Sequence, residues 1–123
     1  MATILVVEDN ALNMKFVIML LHSAGHTTLE ATDAESGMAL ARSGHPDLIL
    51  MDIELPGMDG LEATTLLKKD PATAGIPVIA VTAMTMKNDR HRAVEAGCDG
   101  YVAKPFRHQE LYGVINTFLK KVG

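Results

Sequence analysis

The sequence predicts an α/β protein built on a doubly wound parallel sheet, and three observations carry that expectation. Short apolar runs at 3–7, 48–51 and 78–81 each end in polar or charged residues. Segments of helical periodicity lie between the runs. The connections are short enough to require right-handed crossovers between parallel strands. An unbroken apolar run of four or five residues is what a strand covered on both faces needs.

In chain order, Thr3-Ile4-Leu5-Val6-Val7 is the first strand and runs directly into Glu8 and Asp9. From Asn10 the period becomes helical up to Gly25, the expected C-cap. Leu12, Phe16, Met19 and Leu20 mark one stripe of this helix, and Met14, Val17, Ile18 and Leu21 mark the other. Both cannot lie on one sheet. Residues 26–31 form a weaker, more polar strand suited to a sheet edge. Asp33 is the expected N-cap of a second helix ending near Ser43, with Gly44 and Pro46 as its stop. The strand at 48–51 follows, and it places Asp52 at its carboxyl end.

Asp59 and Glu62 resemble a capping box opening a third helix through Lys69. Val78 to Val81 is the fourth strand, ending in Thr82. A polar helix from about Asn88 to Ala96 is closed by Gly97. Gly100 to Ala103 is the fifth strand, ending in Lys104. The last helix, from about His108 to Lys121, carries Leu111, Val114, Ile115, Phe118 and Leu119 at a 3.6-residue period. With the three most apolar strands central and the mixed ones at the edges, the order is 2-1-3-4-5, the flavodoxin-like arrangement with five helices.

Composition removes several function classes. No apolar run approaches the roughly 20 residues that span a bilayer, and no basic leader precedes the first strand, so a cytoplasmic protein away from membranes is expected. Eleven basic against fifteen acidic residues give a net charge of −4 without a basic cluster, which argues against direct nucleic-acid binding. The single cysteine, Cys98, excludes an internal disulfide and a Cys-rich zinc site. The five histidines lack ligand spacing.

In an open parallel sheet, ligands bind outside the carboxyl ends of the strands. In the expected order those ends carry Glu8 and Asp9, Asp52, Thr82 and Lys104. Crowded carboxylates repel one another unless a cation neutralises them, and an all-oxygen set without His or Cys suits Mg²⁺. Asp52 offers a nucleophile, Thr82 a hydroxyl and Lys104 an ammonium. Together they make a phosphoryl-transfer set, with an aspartyl phosphate as product.

The segments Val6-Val7-Glu8-Asp9-Asn10, Leu50-Met51-Asp52-Ile53-Glu54-Leu55-Pro56-Gly57-Met58-Asp59-Gly60, Val81-Thr82-Ala83 and Tyr101-Val102-Ala103-Lys104-Pro105-Phe106 resemble the CheY-like receiver domains of two-component response regulators. The likeness covers essentially the whole chain. The Glu8-Asp9-Asn10 opening, Met84-Thr85-Met86-Lys87 and the turn from Gly97 to Tyr101 look most like single-domain regulators of the DivK polarity type and receivers attached to hybrid kinases.

The resemblance implies that Asp52 takes its phosphoryl group from a phosphohistidine on a sensor histidine kinase or histidine phosphotransfer protein. It implies that Asp9 and Asp52 ligate Mg²⁺ directly, Glu8 acts largely through water, and the backbone carbonyl of Glu54 completes the site. Thr82 and Tyr101 match the switch pair that remodels the surface of the fourth helix, fifth strand and fifth helix for a phosphorylation-dependent protein target. The Lys104 to Pro105 peptide is expected to be cis. Glu54 and Met84 flank the path of a hydrolytic water.

Where receivers that dimerise to drive DNA-binding domains often carry Asp and Arg, this chain has Gly100 and Val114, so their dimer salt bridges are not expected. One receiver domain over residues 1–123 without an output domain is expected. Met14, Ile18 and Leu21 are candidates for docking the donor's helices, although packing under the fifth helix explains Val17 and Leu21 equally well. A Mg²⁺-dependent phosphohydrolase fits less well, because position 54 holds Glu instead of a second catalytic Asp and there is no room for a cap domain. Flavin binding would set Glu8 and Asp9 against the phosphate. A receiver serving only as a phosphate sink or scaffold stays open.

Overall fold

The computed structural model describes residues 2–55, 57–82, 87–104 and 106–122. Five parallel strands, β1 (Thr3–Val7), β2 (Thr27–Ala31), β3 (Leu48–Asp52), β4 (Val78–Thr82) and β5 (Gly100–Ala103), lie in the order β2-β1-β3-β4-β5. They alternate with α1 (Ala11–Ser23), α2 (Ala34–Gly44), α3 (Gly60–Lys69), α4 (Lys87–Ala96) and α5 (His108–Val122). The doubly wound arrangement read from the sequence is the one found.

Alternation along β1 divides the core. Ile4 and Val6 face α1 and α5, in a cluster with Val17, Leu21, Leu50, Leu111 and Ile115, whereas Leu5 and Val7 face α2 and α3, with Met38, Ile49, Met51 and Leu67. Each side chain of β3 and β4 is buried, as apolar strands covered on both faces must be. A third, smaller cluster of Ile53, Leu61, Ala80 and Ala93 carries the end of β3 across to α4, and Tyr101 packs against it.

The helix ends explain the chain's punctuation. The Asn10 side chain accepts from the backbone N–H groups of Leu12 and Asn13, both at 3.0 Å, to start α1. Gly25, at φ +88°, ends it in a Schellman pair: its N–H donates to His22 O, and that of His26 to Leu21 O. Asp33 caps α2 through Ser36 N–H at 2.7 Å, and Asp59 caps α3 through Glu62 N–H at 2.8 Å.

Two expectations are corrected. His45, at φ +44°, is the left-handed residue ending α2, and Gly44 stays within the helix. A Cβ on Gly44 would lie 2.7 Å from Leu29 Cδ1, so its glycine serves the approach of α2 to β2. In α1, Met14 and Leu21 are 7% and 0% exposed, which removes them as docking residues, and Ile18 is partly buried against the same core. The free stripe is the other one: Leu12, Phe16 and Met19 are 79%, 44% and 57% exposed.

Candidate functional site

Parallel register brings the strand ends to one edge. Val7 lies opposite Met51, Asp52 opposite Val81, and Thr82 opposite Ala103. Glu8, Asp52, Thr82 and Lys104 therefore meet although they are far apart in sequence. One carboxylate oxygen from each of Glu8, Asp9 and Asp52 lies within 4.8 Å of the other two. Glu8 and Asp52 are each 4% exposed, while Asp9 is open to solvent.

Lys104 joins the two buried carboxylates. Its Nζ donates to Glu8 Oε1 at 2.8 Å and to Asp52 Oδ2 at 3.2 Å. The remaining oxygens are also held: Asn10 N–H donates to Glu8 Oε2 at 3.1 Å, and Glu54 N–H donates to Asp52 Oδ1 at 2.8 Å. The Thr82 hydroxyl, wholly buried, donates to Glu54 Oε1 at 3.0 Å. Tyr101 lies half-buried on β5, on the Ile53, Ala80 and Ala93 cluster rather than among the carboxylates. Met84 and the peptide to Pro105 lie outside the described residues.

One ammonium among three carboxylates leaves the site short of positive charge. Burial raises the Glu8 pKa; the Lys104 hydrogen bond works against that rise, and neighbouring Asp52 adds to it. For Lys104, burial pulls the pKa down, but the hydrogen bond to Glu8 and the charges of Asp52 and Glu8 outweigh it, so its pKa is raised. A hard divalent cation fits this donor set, which is all oxygen and carries excess negative charge. Each oxygen of Glu8 and of Asp52 already accepts one hydrogen bond and keeps a lone pair for a cation, while Asp9 is the exposed ligand beside them.

Three features of the site escaped the sequence reading. Asn10 does two jobs, capping α1 and fixing Glu8 through its own N–H. The Glu54 side chain grips Thr82, a contact across 28 residues that no local pattern announces. Gly60 sits directly against the end of β3: a Cβ there would lie 2.2 Å from the Asp52 carbonyl oxygen and 2.7 Å from Ile53 Cα. A signal for it existed, since glycine just inside an N-cap is a poor helix former and asks for another reason.

Comparison with known proteins agrees with this geometry. Residues 4–116 match the response regulator receiver domain family. The chain is 44% identical over 117 residues to the polar-differentiation response regulator DivK of Brucella ovis, covering 95% of both proteins. Its structure is similar, at a TM-score of 0.91 and 33% identity, to the receiver domain of sensor histidine kinase PA1611 from Pseudomonas aeruginosa PAO1, over 97% of this chain and 98% of that one. That receiver is described with a magnesium ion coordinated in its active site cleft. The Vibrio cholerae chemotaxis protein CheY4, 24% identical with a TM-score of 0.91 over 96% of this chain and 98% of that one, shares the fold.

Proposed function

The chain belongs to the response regulator receiver domains of two-component signalling, and from that premise we propose that it is a Mg²⁺-dependent phosphoacceptor in which Asp52 takes a phosphoryl group from a phosphohistidine. Receiver domains are signalling domains rather than conventional enzymes. The observation that carries the reading is the Lys104 ammonium held between Glu8 and Asp52, with Asp9 beside them.

Asp52 and Asp9 would hold Mg²⁺, with Glu8 acting through water and the Glu54 backbone carbonyl completing the site; the ion supplies charge neutralisation at the phosphoryl oxygens. An Asp52 carboxylate oxygen forms the new O–P bond as the N–P bond to the donor imidazole breaks, and the imidazole nitrogen takes up a proton. Lys104 offsets negative charge as it spreads over the phosphoryl oxygens. The Thr82 hydroxyl bonds one of those oxygens. Movement of Thr82 and Tyr101 then passes through the cluster of Ile53, Ala80 and Ala93 to α4, β5 and α5, the surface a protein target reads.

The exposed Leu12, Phe16 and Met19 stripe is the docking face for the donor's helices. It adjoins the site through Phe16, whose ring centroid lies 6.1 Å from that of Phe106, two residues past Lys104. Intact mass after incubation with acetyl phosphate tests the reading. The expected result is one phosphoryl adduct that requires Mg²⁺ and is absent from Asp52→Asn. A folded protein that gains none, or an Asp52→Asn variant that gains it equally, refutes it.

A further inference from the structure

Glu54 holds both halves of the proposed reaction at once. Its backbone N–H donates to Asp52 Oδ1 at 2.8 Å, and its side-chain Oε1 accepts the Thr82 hydroxyl at 3.0 Å. A threonine hydroxyl has a single hydrogen to give. The hydrogen now given to Glu54 is the one that a phosphoryl oxygen on Asp52 would need. The two bonds exclude each other.

We propose that the Glu54 side chain is a latch that holds the Thr82 hydroxyl in the unphosphorylated protein and competes with the phosphoryl group for it, so that Glu54 is a positioning residue setting how readily the domain switches. The inference rests on the phosphoacceptor reading above. Glu54 is solvent-exposed whereas Thr82 is wholly buried, so the latch can open outward into water while the threonine stays on its strand. The arriving phosphoryl group also repels the Glu54 carboxylate. Release of the latch and capture of the hydroxyl are therefore favoured by the same charge.

A double-mutant cycle with a phosphoryl analogue separates this competition from plain repulsion. The affinity of beryllofluoride with Mg²⁺ is measured by calorimetry for the native chain, Glu54→Ala, Thr82→Val and the double variant, with thermal unfolding confirming that each is folded. Glu54→Ala should tighten binding about three- to tenfold, the net scale of one ordinary hydrogen bond. In the Thr82→Val background the same change should fall below about twofold, the remainder left by charge repulsion once the contested hydrogen is gone. Glu54→Gln, which keeps an acceptor oxygen, should lie nearer the native chain than Glu54→Ala does.

Equal tightening in both backgrounds would mean that Glu54 acts by charge alone, and no tightening in the native background would mean that it holds nothing back. Either result overturns the latch while leaving the phosphoacceptor reading intact. A native chain that binds no analogue overturns that reading, and the latch with it. A measurement that needs no change at position 82 closes the test: in the unliganded protein, Glu54→Ala should move the Thr82 methyl resonance toward its analogue-bound position. An unmoved resonance also overturns the latch.

Discussion

Gly60→Ala sets two physical effects against each other. Helical propensity alone favours alanine by up to about 1 kcal/mol. The structure says the opposite. The new Cβ would lie 2.2 Å from the Asp52 carbonyl oxygen and 2.7 Å from Ile53 Cα, when ordinary contact begins near 3.4 Å. The shortfall of about 1.2 Å is against backbone on both sides, so no side chain can rotate away. The start of α3 must retreat from β3, loosening Leu61 and Leu67, which pack against that strand's neighbours.

Overpacking of this kind costs about 1–3 kcal/mol, and contact with main chain belongs at the upper end. With an unfolding entropy of about 2.1 cal/mol/K per residue, 3 kcal/mol corresponds to a fall in Tm of roughly 12 °C for this chain. The assay is thermal and urea unfolding beside Gly113→Ala, whose Cβ meets nothing within 4 Å. That helical control should gain about 0.5–1 kcal/mol. Because the shift acts on the residue whose carboxylate receives Glu54 N–H, Gly60→Ala should also weaken Mg²⁺ binding. A Gly60→Ala variant as stable as the native chain, or more so, refutes the reasoning.

Other perturbations address separate parts of the account. Lys104→Met should slow phosphorylation by acetyl phosphate about 100-fold or more, the scale of losing one preorganised charge at a reacting centre, and quench-flow mass spectrometry reads the rate. Phe16→Asp should sharply reduce transfer from a phosphohistidine donor while leaving phosphorylation by acetyl phosphate unchanged; an equal loss in both assays would place the fault in the site and not in docking. Arg42→Ala should lower the urea midpoint only above the acid range. The Arg42 hydrogen bond, and then that of Ala72 N–H, lower the Asp70 pKa from its ordinary 3.8, so the stabilisation is present above that value and lost as pH falls through the lowered one. The two curves should meet there, and the gap should shrink in high salt.

The central strands were readable because burial on both faces demands unbroken apolar runs, and the polar residues ending them marked the edge where the carboxylates gather. That Glu8, Asp9, Asp52 and Lys104 come together followed from strand order, since parallel strands carry all their carboxyl ends to one edge. The orientation of α1 was not readable. The helix is apolar nearly all round, so periodicity offered two stripes, and the choice of Met14, Val17 and Leu21 depends on where β1 and α5 meet it.

Contacts made across the sequence were equally hidden. Lys68 Nζ donates to Ile76 O and Asp99 Oδ2, both at 2.8 Å, and Asp99 Oδ2 also accepts Val78 N–H at 2.8 Å, tying the end of α3 to the starts of β4 and β5. A lysine and an aspartate 31 positions apart give no sign of this in a chain with many charges. Gly44 and Gly60 look like helix punctuation until the atoms facing them are known.

The position of the phosphoryl group is the most direct test of the whole account. After treatment with acetyl phosphate and Mg²⁺, the adduct would be challenged with hydroxylamine and the chain digested with trypsin. A hydroxylamine-labile acyl phosphate is expected, with the resulting hydroxamate in the peptide spanning residues 43–68, at Asp52. A hydroxylamine-stable phosphoryl group, or a hydroxamate in the peptide of residues 1–15 that carries Glu8 and Asp9, would contradict it.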